Sequence, residues 1–158
     1  MPSSSAVRAA VAAEVARLVA RHESGSTRDP ELHTIVDLGS GWGGLAREMA
    51  LRFPDRTVIG VEASPLPHLC AALTRAVAGP PNLNFRRADF RSMTPEVGTL
   101  YLCFLSPEAM REVHSVFGNQ GERENVVISA LFGVRGWTPT RTTIASDVYR
   151  TEVFVYEA

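Results

Sequence analysis

The chain has 158 residues, 45% hydrophobic and 21% charged, which is enough for one packed core and too balanced for a disordered segment. Its formal net charge of −1 supplies no global field toward nucleic acid or an anionic membrane, although all 16 basic residues are arginine. The apolar stretch from Ala6 to Ala20 is interrupted by Arg8, Glu14 and Arg17, so it reads neither as a membrane span nor as a secretory leader. Pro2 and Ser3 to Ser5 bring helix-start chemistry to that stretch. Val7, Val11, Val15, Leu18 and Val19 recur about one turn apart, and a helix is expected over 5–22. Residues 23–31 are polar and rich in breakers, hence a loop.

From there strand and helix patterns alternate. Thr34–Leu38 is a short apolar strand, Gly43 to Phe53 a helix stopped before Pro54, and Thr57–Val61 a second buried strand. Pro65 to Ala78 reads as a helix with proline in its first turn and Gly79-Pro80-Pro81 beyond its end. Leu83–Arg87 is a third strand, Thr99–Phe104 a fourth, Pro107 to Phe117 a helix and Asn125–Leu131 a fifth strand. Residues 141–146 and 149–156 form two β-rich runs around Asp147, with no helix pattern between them, so they suggest an antiparallel hairpin. The expected fold class is α/β: right-handed βαβ units with a mostly parallel central sheet and a C-terminal antiparallel hairpin. A single domain is expected over 1–158, with 1–30 as an N-terminal helix and loop.

Ligands of open α/β sheets bind at the carboxyl ends of the strands, beside the switch in strand order. The first strand delivers Asp37-Leu38-Gly39-Ser40-Gly41-Trp42-Gly43-Gly44 to that place, and the free N–H groups of the next helix face the same space. Gly39, Gly41 and Gly44 also satisfy the dinucleotide pattern GxGxxG. Asp37 argues against a pyrophosphate there and fits a cationic amino-acid moiety. Glu62, ending the second strand, suits the two hydroxyls of a ribose, and Asp89, followed by Phe90 after the third strand, suits the amino group of adenine. Each acid alone is equally well a cap or turn residue; the case rests on three at successive strand ends. Cys70 and Cys103 fit no metal or redox spacing, which suits a reduced, cytoplasmic protein. His22, His33, His68 and His114 make no ligand pair, and no metal site is expected.

Over roughly residues 34–131 the chain resembles the class I, Rossmann-like S-adenosylmethionine-dependent methyltransferases. Asp37–Gly41 matches their first motif, Gly60-Val61-Glu62 the second and Ala88-Asp89-Phe90 the third. More narrowly, it is similar to a family of small bacterial methyltransferase domains related to the mitochondrial lysine methyltransferases of ATP synthase c-subunit and adenine nucleotide translocase. That likeness rests on Leu100-Tyr101-Leu102 with Leu105-Ser106-Pro107-Glu108, and on Val127-Ile128-Ser129 with Gly136-Trp137-Thr138-Pro139. It implies S-adenosylmethionine as cofactor, bound by Asp37, Gly39, Ser40, Gly41, Trp42, Gly43, Glu62, Ala63, Asp89 and Phe90. Near relatives often carry an acid where this chain has Trp42 and a base where it has Gly44. They also often carry a membrane anchor ahead of the domain. This sequence begins at Pro2-Ser3-Ser4 without one, which leaves a soluble protein or one cut short of its anchor.

The segment Leu105-Ser106-Pro107 should border the reacting methyl, and Trp137 either walls the acceptor pocket or packs the core. The Asn/Asp-Pro-Pro-aromatic motif of base-amine methylation is absent, which disfavours a nucleic-acid acceptor. The cluster Arg86, Arg87 and Arg91 reads as a solvated strand end balanced by Asp89. Glu108 is the one nearby candidate base, and equally a first-turn helix acid. The expected activity is N-methylation of a protein lysine. A small-molecule methyltransferase and a non-catalytic cofactor-binding module are the alternatives, and oligomeric state is open.

Overall fold

The computed structural model describes residues 4–24, 31–118 and 125–157; Pro2, Ser3 and most of the polar loop expected over 23–31 lie outside the described residues. Helix α1 (Ser5–Glu23) starts where Ser4 Oγ accepts the Val7 N–H at 3.2 Å, and Val7, Val11, Ala12, Val15 and Leu18 form its buried stripe. After it come β1 (Thr34–Leu38), α2 (Gly44–Arg52), β2 (Thr57–Glu62), α3 (Pro65–Ala78), β3 (Leu83–Arg87) and a 3₁₀ turn at Phe90–Ser92. Then β4 (Thr99–Cys103), α4 (Pro107–Phe117), β5 (Val126–Ala130), β6 (Arg141–Ile144) and β7 (Glu152–Tyr156) complete the order.

The seven strands form one sheet in the order β3-β2-β1-β4-β5-β7-β6. Strands β1 to β5 are parallel, and β7 runs antiparallel between β5 and β6. The expected hairpin is therefore present, with β7 inside the sheet and β6 at its edge. The order reverses between β1 and β4, which leaves a crevice at their carboxyl ends. All five residues of β4 and of β5 are buried because both faces are covered. On one face α1 and α2 pack on Ile35, Val58, Leu100, Ile128 and Val155. On the other, Met110, Val113 and Phe117 of α4 pack on Val36, Tyr101, Val127 and Tyr156.

Glu14, with its side chain only 5% exposed, ties α1 to the far edge of the sheet. Its carboxylate accepts from Arg17 Nε at 2.8 Å, from Arg141 Nε at 2.9 Å and from the Thr143 hydroxyl. A buried charge is tolerated when it is paired and hydrogen-bonded in this way. Element ends differ from the sequence expectation where the backbone turns left-handed. Gly43 has φ +81°, so α2 begins one residue later than its apolar pattern. Leu131, at φ +75°, ends β5, and Arg150, at φ +50°, belongs to the β6–β7 turn. That turn is held by Asp147, whose carboxylate accepts the Thr151 N–H at 2.7 Å and the Thr151 hydroxyl at 2.6 Å, so β7 starts only at Glu152.

Candidate active site

The turn from β1 into α2 lies at the crevice, and its shape is fixed by close packing. Gly39 has φ +68°, and a Cβ there would stand 2.5 Å from Cδ2 of Leu105, so the turn touches the β4–α4 loop. At Gly43 a Cβ would stand 2.5 Å from the Phe85 ring and 3.1 Å from Ala71. Phe85 thus fills the space beneath the glycine turn. Sequence reasoning missed it, and the available clue was Gly60 on the neighbouring strand, whose added Cβ would also meet that ring at 2.5 Å. Gly43→Ala is expected to cost about 2–4 kcal/mol, combining positive-φ strain with overpacking against Phe85. Urea denaturation checks this; a loss below about 1 kcal/mol would mean the ring yields freely.

Glu62 locks the turn from the other side. Its Oε2 accepts the Gly41 N–H and its Oε1 the Ser64 N–H, both at 2.8 Å. The Ser40 N–H donates to the Val61 carbonyl at 2.9 Å. Asp37 is 2% exposed and sits in register with Gly60 on β2 and Leu102 on β4. Burial pushes its carboxyl up to about 7; the Ala46 N–H of α2 opposes that rise and the charge of Glu62 adds to it. Its Oδ2 is buried without a hydrogen-bond partner, and so is the Ser40 hydroxyl. Burial, with Asp37 adding, also raises the thiol of Cys103. A cradle of glycine backbone, two unpartnered buried oxygens and a carboxylate with spare lone pairs fits a ligand carrying a cation and vicinal hydroxyls.

The other expected residues fall around this centre. Trp42 is 61% exposed on the turn, and Ala63 is exposed between β2 and α3. Asp89 is exposed, accepts the Arg91 N–H at 3.0 Å and pairs with the Arg91 guanidinium at 3.6 Å. Phe90 is buried in the core under α4. Leu105 meets Gly39, Ser106 caps α4 by accepting the Ala109 N–H at 3.3 Å, and Pro107 opens that helix. Trp137 stacks edge-on against Tyr156 with ring centroids 5.4 Å apart, and its Nε1–H donates to His114 Nδ1 at 3.0 Å. His114 lies two turns down α4 from Pro107, so these are the contacts of a packing residue. Glu108 is fully exposed, and its pKa is held below the usual carboxylate range by its own N–H and by Ser106, with Arg111 adding. Among the described residues no His, Cys or carboxylate cluster could hold a metal, and no helix is long and apolar enough to cross a membrane.

Several solved structures sharing this architecture are methyltransferases. An RNA methyltransferase from Salinibacter ruber, in complex with S-adenosyl-L-homocysteine, matches over 99% of this chain and 93% of its own, at a TM-score of 0.74 and 21% identity. The fold is that of the class I methyltransferases. A family model, the ANTKMT methyltransferase domain, matches residues 37–141, and the chain belongs to that family. That family is one of methyltransferase domains. Trans-aconitate 2-methyltransferase of Deinococcus radiodurans is 37% identical over 68 residues, 42% of this chain and 24% of that protein. Its counterpart in Methylobacterium radiotolerans is 44% identical over 61 residues, 39% of this chain and 22% of that protein. The match thus spans under a quarter of either curated relative's length.

Proposed function

We propose that the chain transfers a methyl group from S-adenosylmethionine to the side-chain nitrogen of a protein lysine. The supporting observation is the short, exposed cover over the carboxyl ends of β1, β2 and β4, flanked by the longer β3–β4 and β5–β6 connections (88–98 and 131–140). Among the described residues, Ala63 and Ser64 alone join β2 to α3, Phe104 to Ser106 join β4 to α4, and Trp42, Ala63, Ser106 and Pro107 are exposed. A small acceptor must be enclosed by the enzyme over most of its surface, whereas a polypeptide brings its own cover. In this reading the unpartnered Oδ2 of Asp37 receives the donor's ammonium, Glu62 its ribose hydroxyls and Asp89 its adenine amino group. Gly39, Ser40, Gly41 and Gly43 bring backbone close to it, Trp42, Ala63 and Phe90 flank it, and Leu105, Ser106 and Pro107 border the acceptor. Trp137 supports that border through α4.

The bound donor supplies a methyl already activated on a sulfonium, so the protein's part is alignment and exclusion of water. The lysine, with an ordinary pKa of about 10.4, must be neutral to attack. Glu108, with its lowered pKa and full exposure, is poorly suited to take that proton, and the open edge releases it to solvent. At saturating donor, kcat/KM should therefore rise about tenfold per pH unit to about pH 10, and Glu108→Gln should change it less than about twofold. A plateau near neutral pH that Glu108→Gln displaces would make Glu108 the base.

A small carboxylate acceptor is the second reading. It is favoured by the likeness to trans-aconitate methyltransferases and by the fact that a carboxylate needs no base. Labelled donor incubated with lysine peptides and with trans-aconitate separates the two, because a methyl ester is released by alkali and an N-methyl group is not. Alkali-labile label on trans-aconitate, with none on peptides, would overturn the lysine assignment.

A further inference from the structure

Beside the acceptor border lies a second feature. A cleft of about 190 Å³ opens between the first turns of α4 and the β5–β6 connection, lined by Pro107, Met110, Arg111, Phe132, Gly133 and Arg135. Met110 is buried in the core and Phe132 packs against it, so the floor is apolar. The walls carry one arginine from each side, both exposed. Elsewhere Arg8, Arg17, Arg21, Arg52, Arg56, Arg91 and Arg141 sit in ion pairs, while among the described residues Arg47, Arg75, Arg86, Arg87 and Arg150 make none but line no such cleft. Among the described residues Arg111 and Arg135 make none within 4.0 Å, although Glu108, three residues before Arg111, offsets part of its charge.

We infer that this cleft binds an acidic side chain of the polypeptide acceptor near its methylated lysine, with Arg111 and Arg135 closing on the carboxylate. The inference rests on the lysine reading above and names the feature by which such an acceptor is chosen. Size supports a side chain: the cleft is smaller than the roughly 300–1,000 Å³ of a site enclosing a whole small molecule. Position supports a spectator group, since the lining starts at Pro107 and runs away from the glycine turn along α4. Chemistry agrees. A carboxylate held by two guanidiniums has its lone pairs engaged and is a poor nucleophile, but such charge-assisted contacts fix register well.

The test uses the full chain loaded with S-adenosylhomocysteine and fluorescein-labelled peptides, each with one central lysine and a Glu or Gln scanned through its flanks. Fluorescence anisotropy should show Glu at one or more positions tightening binding about tenfold over Gln, the effect of one charge-assisted hydrogen bond. Arg111→Gln/Arg135→Gln should erase that difference while leaving S-adenosylhomocysteine affinity within about twofold. Equal binding of Glu and Gln peptides, or a preference surviving the double substitution, overturns the cleft assignment. Turnover of the same peptides with labelled donor is read separately. Glu peptides that bind through the arginines and accept no methyl refute the lysine acceptor and keep the acidic-peptide cleft. Methylation of tricarballylate, blocked by the double substitution, overturns both.

Discussion

Glu62→Ala should weaken S-adenosylhomocysteine binding by at least about 100-fold and lower apo stability by about 2–4 kcal/mol. Both effects come from one carboxylate that does two jobs. In the free protein it accepts the N–H groups of Gly41 and Ser64, each at 2.8 Å, and it is nearly buried. Truncation removes two part-buried hydrogen bonds to a charged group, each worth about 1.5–3 kcal/mol, and water reaching the exposed Ser64 recovers part of that. The turn that carries Gly39 to Gly43 then loses its tie to β2, and the proposed ribose acceptor disappears with it. Glu62→Gln should fall between, since its one carbonyl oxygen keeps one N–H while its NH₂ faces the other. Titration calorimetry and urea denaturation measure the two quantities independently. Binding by Glu62→Ala within tenfold of wild type would remove Glu62 from the site.

The scaffold that presents Glu62 is largely legible from sequence, and the reason is physical. Strands β1, β2, β4 and β5 lie in the middle of a sheet covered on both faces, so each reads as a short, mostly apolar run, with Asp37 and Glu62 as the charged exceptions in β1 and β2. Helix α3 is bounded as its prolines and Gly79 require. The two strands of the tail are also visible, but their order is not. That β7 enters the sheet beside β5, leaving β6 at the edge, depends on pairing across more than 20 residues of chain. The same limit applies to the site. Asp37, Glu62 and Asp89 stand out because strand ends bring polar residues to a predictable edge. Phe85 does not, because it looks like any strand aromatic until Gly43 and Gly60 are seen to leave room for its ring. Arg111 and Arg135 are likewise invisible as a pair, since one cleft joins α4 to a distant loop. Trp137 and Phe90 are aromatic residues near motif ends, and in the fold both are claimed by packing around α4 and Tyr156.

Asp37→Asn is expected to make the apo protein more stable at pH 8 and to weaken S-adenosylhomocysteine binding there by about 100-fold, the loss of one buried ion pair. The carboxyl ionises near 3.8 in the unfolded chain and at about 7 in the folded one, because burial disfavours its charge. Between those values the native state holds a proton that the unfolded chain has released, so stability is fully present below about pH 4 and declines as pH rises through 7. The two pKa values correspond to about 4 kcal/mol, an upper figure because solvent relaxation reduces it. Asn removes the titrating charge while its carbonyl still accepts the Ala46 N–H, so the difference between wild type and variant isolates Asp37 from every other group that titrates over the range. That difference should grow from about pH 4 to 7 and then stay level. Binding runs the opposite way. A cationic ligand requires the ionised carboxylate, so wild-type affinity should fall tenfold per unit below about pH 7 and protons should be released on binding there. The ligand's own ammonium must also stay protonated, so the affinity maximum lies above about pH 7 and below the pH at which that ammonium is lost. Calorimetry at pH 6 in two buffers of different ionisation enthalpy counts the protons directly. A stability difference between wild type and Asp37→Asn that stays flat from pH 4 to 8 would show the carboxyl to be ionised throughout, and the buried Oδ2 to have a partner after all.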